Sequence, residues 1–251
     1  MTAPAALLAR MEAAELLLSP RGLGWLLTVA AALSGFGLLL IGSKELSLLD
    51  NAQVVYDMLG IVTGLGALLA VAAGTDAIAG ERERGSLLPV LLTPLSRTGL
   101  LLGKMGGQAA AWCVMLAVAV PYLWAVGSTG QNLVAGGITL ILLGTLVVLG
   151  FGFLALGLGA RLGSARSTLM VCLMLLLLSA SPLLLGPSLR QTAVGMAFDA
   201  VNPFSAALNA YDAVVIDGQG AFAQKWHALV ALLWLTGTAA FAAAGVRQLQ
   251  R

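Results

Sequence analysis

The chain is 251 residues long, 59% hydrophobic and only 10% charged, with a net charge of +2. A soluble domain averages about 25% charged residues, and no soluble fold of this length hides so much apolar surface, so the bilayer must act as part of the solvent. The small positive excess gives no argument for a nucleic-acid partner.

Residues 3–19 predict a short helix lying in the membrane interface. Glu12, Glu15 and Ser19 share one face, while Leu7, Leu8, Met11, Leu16, Leu17 and Leu18 cover much of the rest. A frayed tail is the alternative. Pro20 breaks this helix and turns the chain into the first span. That first apolar run is a full span with no small-residue cleavage site after it, so no cleavable secretory signal is expected.

A crossing helix needs about 20 apolar residues. Six runs predict spans at 22–43, 58–79, 105–127, 133–160, 166–186 and 226–246. The third and fourth adjoin with no charge between them and are divided at "GSTGQN", Gly127–Asn132, which is turn chemistry. Small residues stand four apart at Gly60 and Gly64, Gly103 and Gly107, and Ala155 and Gly159. That spacing stacks them on one helix face and lets backbones approach, read here as packing within one subunit rather than a dimer seam. Before the last span, residues 187–225 mix apolar side chains with Asp199, Asn202, Asn209 and Asp212. They predict short helices around Asn202, Pro203 and Phe204 that dip into the outer leaflet or pack on the spans, with a small folded cap as the alternative. No internal repeat or linker divides the chain, so residues 1–251 form one domain.

Orientation follows from Lys and Arg. With both termini inside, the cytoplasmic side holds Arg10, Arg21, Arg82, Arg84, Arg97, Lys104, Arg161, Arg166, Arg247 and Arg251, against Lys44, Arg190 and Lys225 outside. The fold class predicted is therefore an all-α membrane protein with six transmembrane helices.

Several chemistries are excluded. "GLLLGK", Gly99–Lys104, is one residue short of an ATP-binding loop and is followed by Met105 instead of a hydroxyl. Asp57 and Asp76 stand at opposite ends of the second span, roughly 28 Å apart along a helix, too far for a protease dyad. His227 is the single histidine, and a metal site lacks ligands. Cys113 and Cys172 fall within spans and are read as buried thiols. The spans hold no charge away from their ends, which argues against ion-coupled transport.

The charge gathers in "DAIAGERERGSLLPVLLTPLSRTGLLLGK", Asp76–Lys104. Glu81, Arg82, Glu83 and Arg84 must sit in water, and Leu87, Leu88, Val90, Leu91 and Leu92 prefer cover. A short amphipathic helix ended by Pro94 meets both demands and offers a docking surface.

This segment resembles the signature of type-2 ABC exporter permeases. The pattern matches at Glu81, Glu83, Gly85, Ser86 and Leu87, then at Leu91 and Leu92. It continues at Thr93, Pro94, Leu95, Ser96 and Arg97, and closes at Gly103 and Lys104. The wording is most similar to permeases encoded with nitrous oxide reductase maturation proteins.

The resemblance implies two copies of this chain, a homodimer, paired with two ATPase subunits in the bacterial inner membrane. ATP and magnesium would be bound by the partner and no cofactor by this chain. It implies a coupling segment, 80–104, in which Glu81, Arg82, Glu83, Arg84, Gly85, Ser86, Leu87, Leu88, Leu91 and Leu92 dock the ATPase. Asp76, Arg97 and Lys104 would anchor the segment at the interface. Asp199, Asn202, Pro203 and Phe204 would form the outer segment. The short second loop, Arg161–Arg166, would make a minor contact. The function implied is a non-catalytic permease subunit. Two alternatives stand beside it: a mechanical relay to a periplasmic protein in metalloenzyme maturation, and a membrane scaffold without an ATPase.

Overall fold

The computed structural model describes residues 3–42, 51–87, 89, 92, 96–127, 132–184 and 192–249. Among these every regular element is helical. Helix α1 is Ala3–Leu18 and α2 is Pro20–Gly42. Helix α3, Asn51–Thr75, runs on through a π-helical turn, Asp76–Gly80, and a last piece, Glu81–Glu83. Helix α4 is Arg97–Gly127. Helix α5, Leu133–Thr139, continues through a second π turn, Leu140–Gly144, into α6, Thr145–Leu162. Helices α7, Ala165–Leu184, α8, Ala193–Val201, α9, Pro203–Val215, and α10, Lys225–Leu249, complete the chain.

Five helical runs among the described residues are long and apolar enough to cross a membrane: Gly22–Leu39, Ala52–Glu83, Arg97–Ala125, Leu133–Leu162 and Lys225–Gln248. The stretch predicted as the fifth of six spans is shorter as described, Ala165–Ala180.

The break predicted at Pro20 stands: α1 ends at Leu18 and Pro20 opens α2, where Ser19 caps it, its Oγ accepting from the Gly22 N–H at 3.1 Å, and proline suits the first helical position. Two boundaries differ from the sequence reading, each for a local reason. Helix α4 starts at Arg97 rather than Met105, because Ser96 Oγ accepts from the Gly99 N–H at 3.1 Å. Residues 97–104, assigned to the coupling segment, are thus the first two turns of a span. The second span does not stop before the charged run but carries it as its own end. The predicted amphipathic helix therefore does not begin at Glu81. Leu88, Val90, Leu91 and Thr93 to Leu95 lie outside the described residues, as do Lys44, Arg190 and most of the predicted turn at 128–131. Asn132, which precedes α5, lies in the left-handed region at φ 68°.

The small residues explain the close packing. A Cβ at Gly103 would lie 2.6 Å from Leu8, and one at Gly107 would meet Glu12, so this pair seats α1 on α4. Gly60 and Gly64 face Leu208 and Phe204 of α9. Gly74 of α3 meets Ala155 of α6, and Gly159 meets Ala79 and Ile78. All three small-residue pairs pack inside one subunit.

Helix α9 is the part of the segment 187–225 that enters the core. Ten of its residues are buried, from Pro203 to Val215. Phe204, Leu208 and Tyr211 join the main apolar cluster with Met58, Leu59, Val62, Met115 and Phe151. Tyr211 and Thr63 share a hydrogen bond of 2.9 Å, and the second π turn passes Tyr211 at Gly144, where a Cβ would lie 2.8 Å from the phenol oxygen. The segment packs on the spans and is not a separate cap.

Candidate functional site: a charged helix end and an apolar groove

The charged run is stopped by its glycine. The Ser86 N–H bonds the Glu81 carbonyl at 3.0 Å and the Gly85 N–H bonds the Arg82 carbonyl at 3.2 Å, with Gly85 left-handed at φ 74°. This six-to-one and five-to-two pairing is the Schellman stop, which needs glycine at its left-handed position. Beyond it Leu87 turns inward and is buried with Leu100, Leu101 and Met105. Leu92 is exposed.

The charges divide into two sets. Lys104, predicted as a surface anchor, is 1% exposed inside the third span. Its Nζ donates to Glu12 of α1 at 2.5 Å and also to Glu81. Lys104 stands in the second turn of α4, near its end, and is buried there. A buried ammonium must be paired, and the two carboxylates supply that pairing. Glu12 accordingly faces the bundle and not water. Burial pushes its carboxyl above the ordinary carboxylate range, against the pull of Lys104. Glu81 is committed inward, and its second oxygen, Oε2, is buried without a hydrogen-bond partner.

Asp76 pairs twice with Arg84, at 2.7 and 3.2 Å, across the π turn. Gly80 makes room for it, since a Cβ there would meet the Asp76 carboxylate. Asp76 is thus an intrahelical brace. Arg82, Glu83, Arg84 and Ser86 are exposed. Glu83 Oε1 accepts from the Ala165 N–H at 2.9 Å, at the start of α7, where a carboxylate suits the helix dipole. Arg82 lies beside Gly163, itself left-handed at φ 69°. The loop Arg161–Arg166, expected to be minor, is tied to the charged end by these contacts. Arg97 is exposed at the start of α4.

At the other end, Asn202 is 3% exposed. Its Oδ1 caps α9 by accepting from the Phe204 N–H at 3.0 Å, and its Nδ2 donates to the Ser179 carbonyl at 2.7 Å. Pro203 holds the first position of α9, and Phe204 is buried. Asp199 lies on α8, which buries no residue of its own.

Sequence reasoning passed over a groove of about 650 Å³ between α2, α3, α7 and α9. Phe36, Tyr56, Leu68, Leu176 and Phe204 line it, and Asp57 is the one charged lining residue among the described residues. Cys172 is a buried free thiol as read from the sequence, whereas Cys113, read as buried, is exposed on α4. No group of three or more metal-ligating side chains lies close together among the described residues.

The helical bundle with its apolar spans and charged helix end defines a multi-pass membrane subunit. The family described as "ABC-2 family transporter protein" matches residues 8–250, and the chain belongs to that family. No curated protein matches it. Membership makes it a membrane permease of the ABC transporter class, with an ATPase as the implied partner.

Proposed function

We propose that this chain is the non-catalytic membrane subunit through which a separate ATPase drives export or rearrangement across the bacterial inner membrane. In this reading six spans cross with both termini inside, and α7 is the fifth. Two copies pair with two ATPase subunits, which hold the ATP and magnesium. The wording of the charged segment resembles that of permeases for nitrous oxide reductase maturation, and metalloenzyme assembly is the setting proposed on that resemblance.

The observation that carries the reading is the division of the charged run. Arg82, Glu83 and Arg84 face outward, while Glu81 on the same turn is locked to Lys104 and, through it, to α1. A partner seated on the outward set would thereby grip α1, α3, α4 and α7 together. The docking role moves from Glu81 to its neighbours and to Leu92, with Ser86 at the rim.

Co-purification in mild detergent tests this. A stoichiometric ATPase should accompany the chain and be lost with Arg82→Glu combined with Glu83→Lys, while the chain stays inserted and folded. An unchanged complex would remove the docking role. Absence of any ATPase would favour the scaffold alternative, and an added periplasmic protein the mechanical relay.

A further inference from the structure

We propose that the arginines gathered where α6 and α10 end and α7 begins form a binding site for a dianionic phospholipid of the cardiolipin kind, two phosphates on one apolar body. None of these arginines lines the groove, and the site needs no ATPase.

Packing brings the charges together from separate helices. Arg161 stands in the last turn of α6 and Arg247 in the last turn of α10. Arg166 is the second residue of α7, just past the left-handed Gly163. Arg161 Nη1 lies 2.6 Å from where a Cβ on Gly245 would stand, and Gly245 shares the last turns of α10 with Arg247. Arg82 Nη1 lies 3.4 Å from such a point on Gly163. Arg82 also belongs to the outward set proposed to seat the ATPase, so the lipid is assigned to Arg161, Arg166 and Arg247.

The patch keeps a net positive charge. The ion pairs among the described residues join Arg84 to Asp76 and Lys104 to Glu12 and Glu81; none includes Arg82, Arg161, Arg166 or Arg247. Glu83 is the acid in contact with this loop, and its carboxylate accepts from the Ala165 N–H. It offsets one of the positive charges. Like charges brought to one place repel, and an anion set among them relieves the repulsion. Arg161 is held ready for one. Its Nη1 donates to the Gly157 carbonyl at 2.8 Å, and its guanidinium carbon lies 3.8 Å over the Phe241 ring. A planar fork fixed in this way loses little freedom on meeting a phosphate.

The position favours a lipid over a soluble phosphate. Arg161 and Arg247 stand at the ends of the apolar runs Leu133–Leu162 and Lys225–Gln248, where spans meet headgroups. Leu162, next to Arg161, is 44% exposed. Met170 stands four residues beyond Arg166, on the same face of α7, and is 54% exposed. These side chains offer apolar surface to acyl chains directly below the charges. Basic pockets between span ends suit doubly charged headgroups.

The test uses the full chain, purified in dodecyl maltoside without ATPase and followed by native mass spectrometry. Tetraoleoyl cardiolipin, dioleoyl phosphatidylglycerol and dioleoyl phosphatidylcholine are added in turn. One cardiolipin per chain should be retained about tenfold more tightly than phosphatidylglycerol, with no saturable retention of phosphatidylcholine. Arg166→Gln and Arg247→Gln should each weaken cardiolipin retention about fivefold. Arg161→Lys keeps the charge and loses the fork, so it should lower the preference for cardiolipin and leave phosphatidylglycerol retention unchanged. Arg10→Gln removes an exposed arginine of α1 and should change nothing. Equal retention of the three lipids would overturn the proposal. So would an Arg10→Gln effect as large as that of Arg166→Gln, which would mean diffuse attraction to anionic lipid. Displacement of cardiolipin by equimolar pyrophosphate would make this a soluble-phosphate site and overturn the lipid assignment. Loss of ATPase co-purification in Arg166→Gln, with lipid retention unchanged, would give the patch to that partner instead.

Discussion

Lys104 stands seven residues past the start of α4, where it is sealed from solvent between two carboxylates. Removing one member of a buried ionic cluster leaves uncompensated charge, at a cost of about 3–5 kcal/mol. Lys104→Met should therefore lower thermal stability in detergent sharply. Adding Glu12→Gln and Glu81→Gln to it should recover most of the loss, since an entire cluster can be exchanged for neutral groups with little penalty. Glu12 carries a separate signature. Its folded carboxyl binds a proton more tightly than the ordinary value of 4.5. The folded state therefore gains stability as pH falls through the raised value, and the gain is complete below about 4.5. In thermal melts over that window, the difference between the native chain and Glu12→Gln should slope this way, with the native chain gaining on acidification. At this scale the sequence was half legible. It marked Glu81 and Lys104 as belonging to one motif, yet their mutual burial could not be read from either. Pairing across 23 positions depends on how α3 and α4 cross, and nothing in the local pattern encodes that crossing.

Among the elements, α1 is the one whose packing partner the sequence left open. Its leucines and acids look like those of a helix lying in the interface, and Gly103 and Gly107 hold it against α4. Gly107→Leu should force the two apart at a cost of about 1–3 kcal/mol. Cysteines placed at Ala5 and Ala9 would report it, passing from protected to freely alkylated at the buried Ala5 position while Ala9 changes less. The glycine spacing was visible in the sequence; the identity of its partner was not, because a small-residue stripe specifies closeness without specifying what comes close. The stop at Gly85 was the reverse case. Its Glu-x-Glu-x-Gly-Ser wording is local hydrogen-bond chemistry, so the resemblance and the geometry coincide there. The second span was ended at residue 79 because the four charges that follow suit water, whereas the helix continues through the π turn to Glu83.

For the molecule as a whole, apolar run lengths made the helical bundle readable, since span length is set by the bilayer and not by tertiary contacts. The groove was invisible, being the space left where four helices fail to meet. Asn202 helps hold that space open by joining α9 to α7. Asn202→Ala should loosen α9 by about 1–3 kcal/mol. Hydrogen exchange should then show lost protection in α9 with little change in α10. The π turn at Asp76–Gly80 bears on all of this through angular phase. A π turn accommodates one residue more than an α-helical path of the same course, and each residue of an α-helix advances the azimuth by about 100°. The upper length of α3 and its charged tip are therefore in gear because the π turn absorbs that surplus residue. The same residues wound as an α-helix throughout would keep every span and every charge, yet rotate the tip by about 100° and carry Glu81 away from Lys104, so the bundle's handshake with a partner is a matter of clocking as much as of composition.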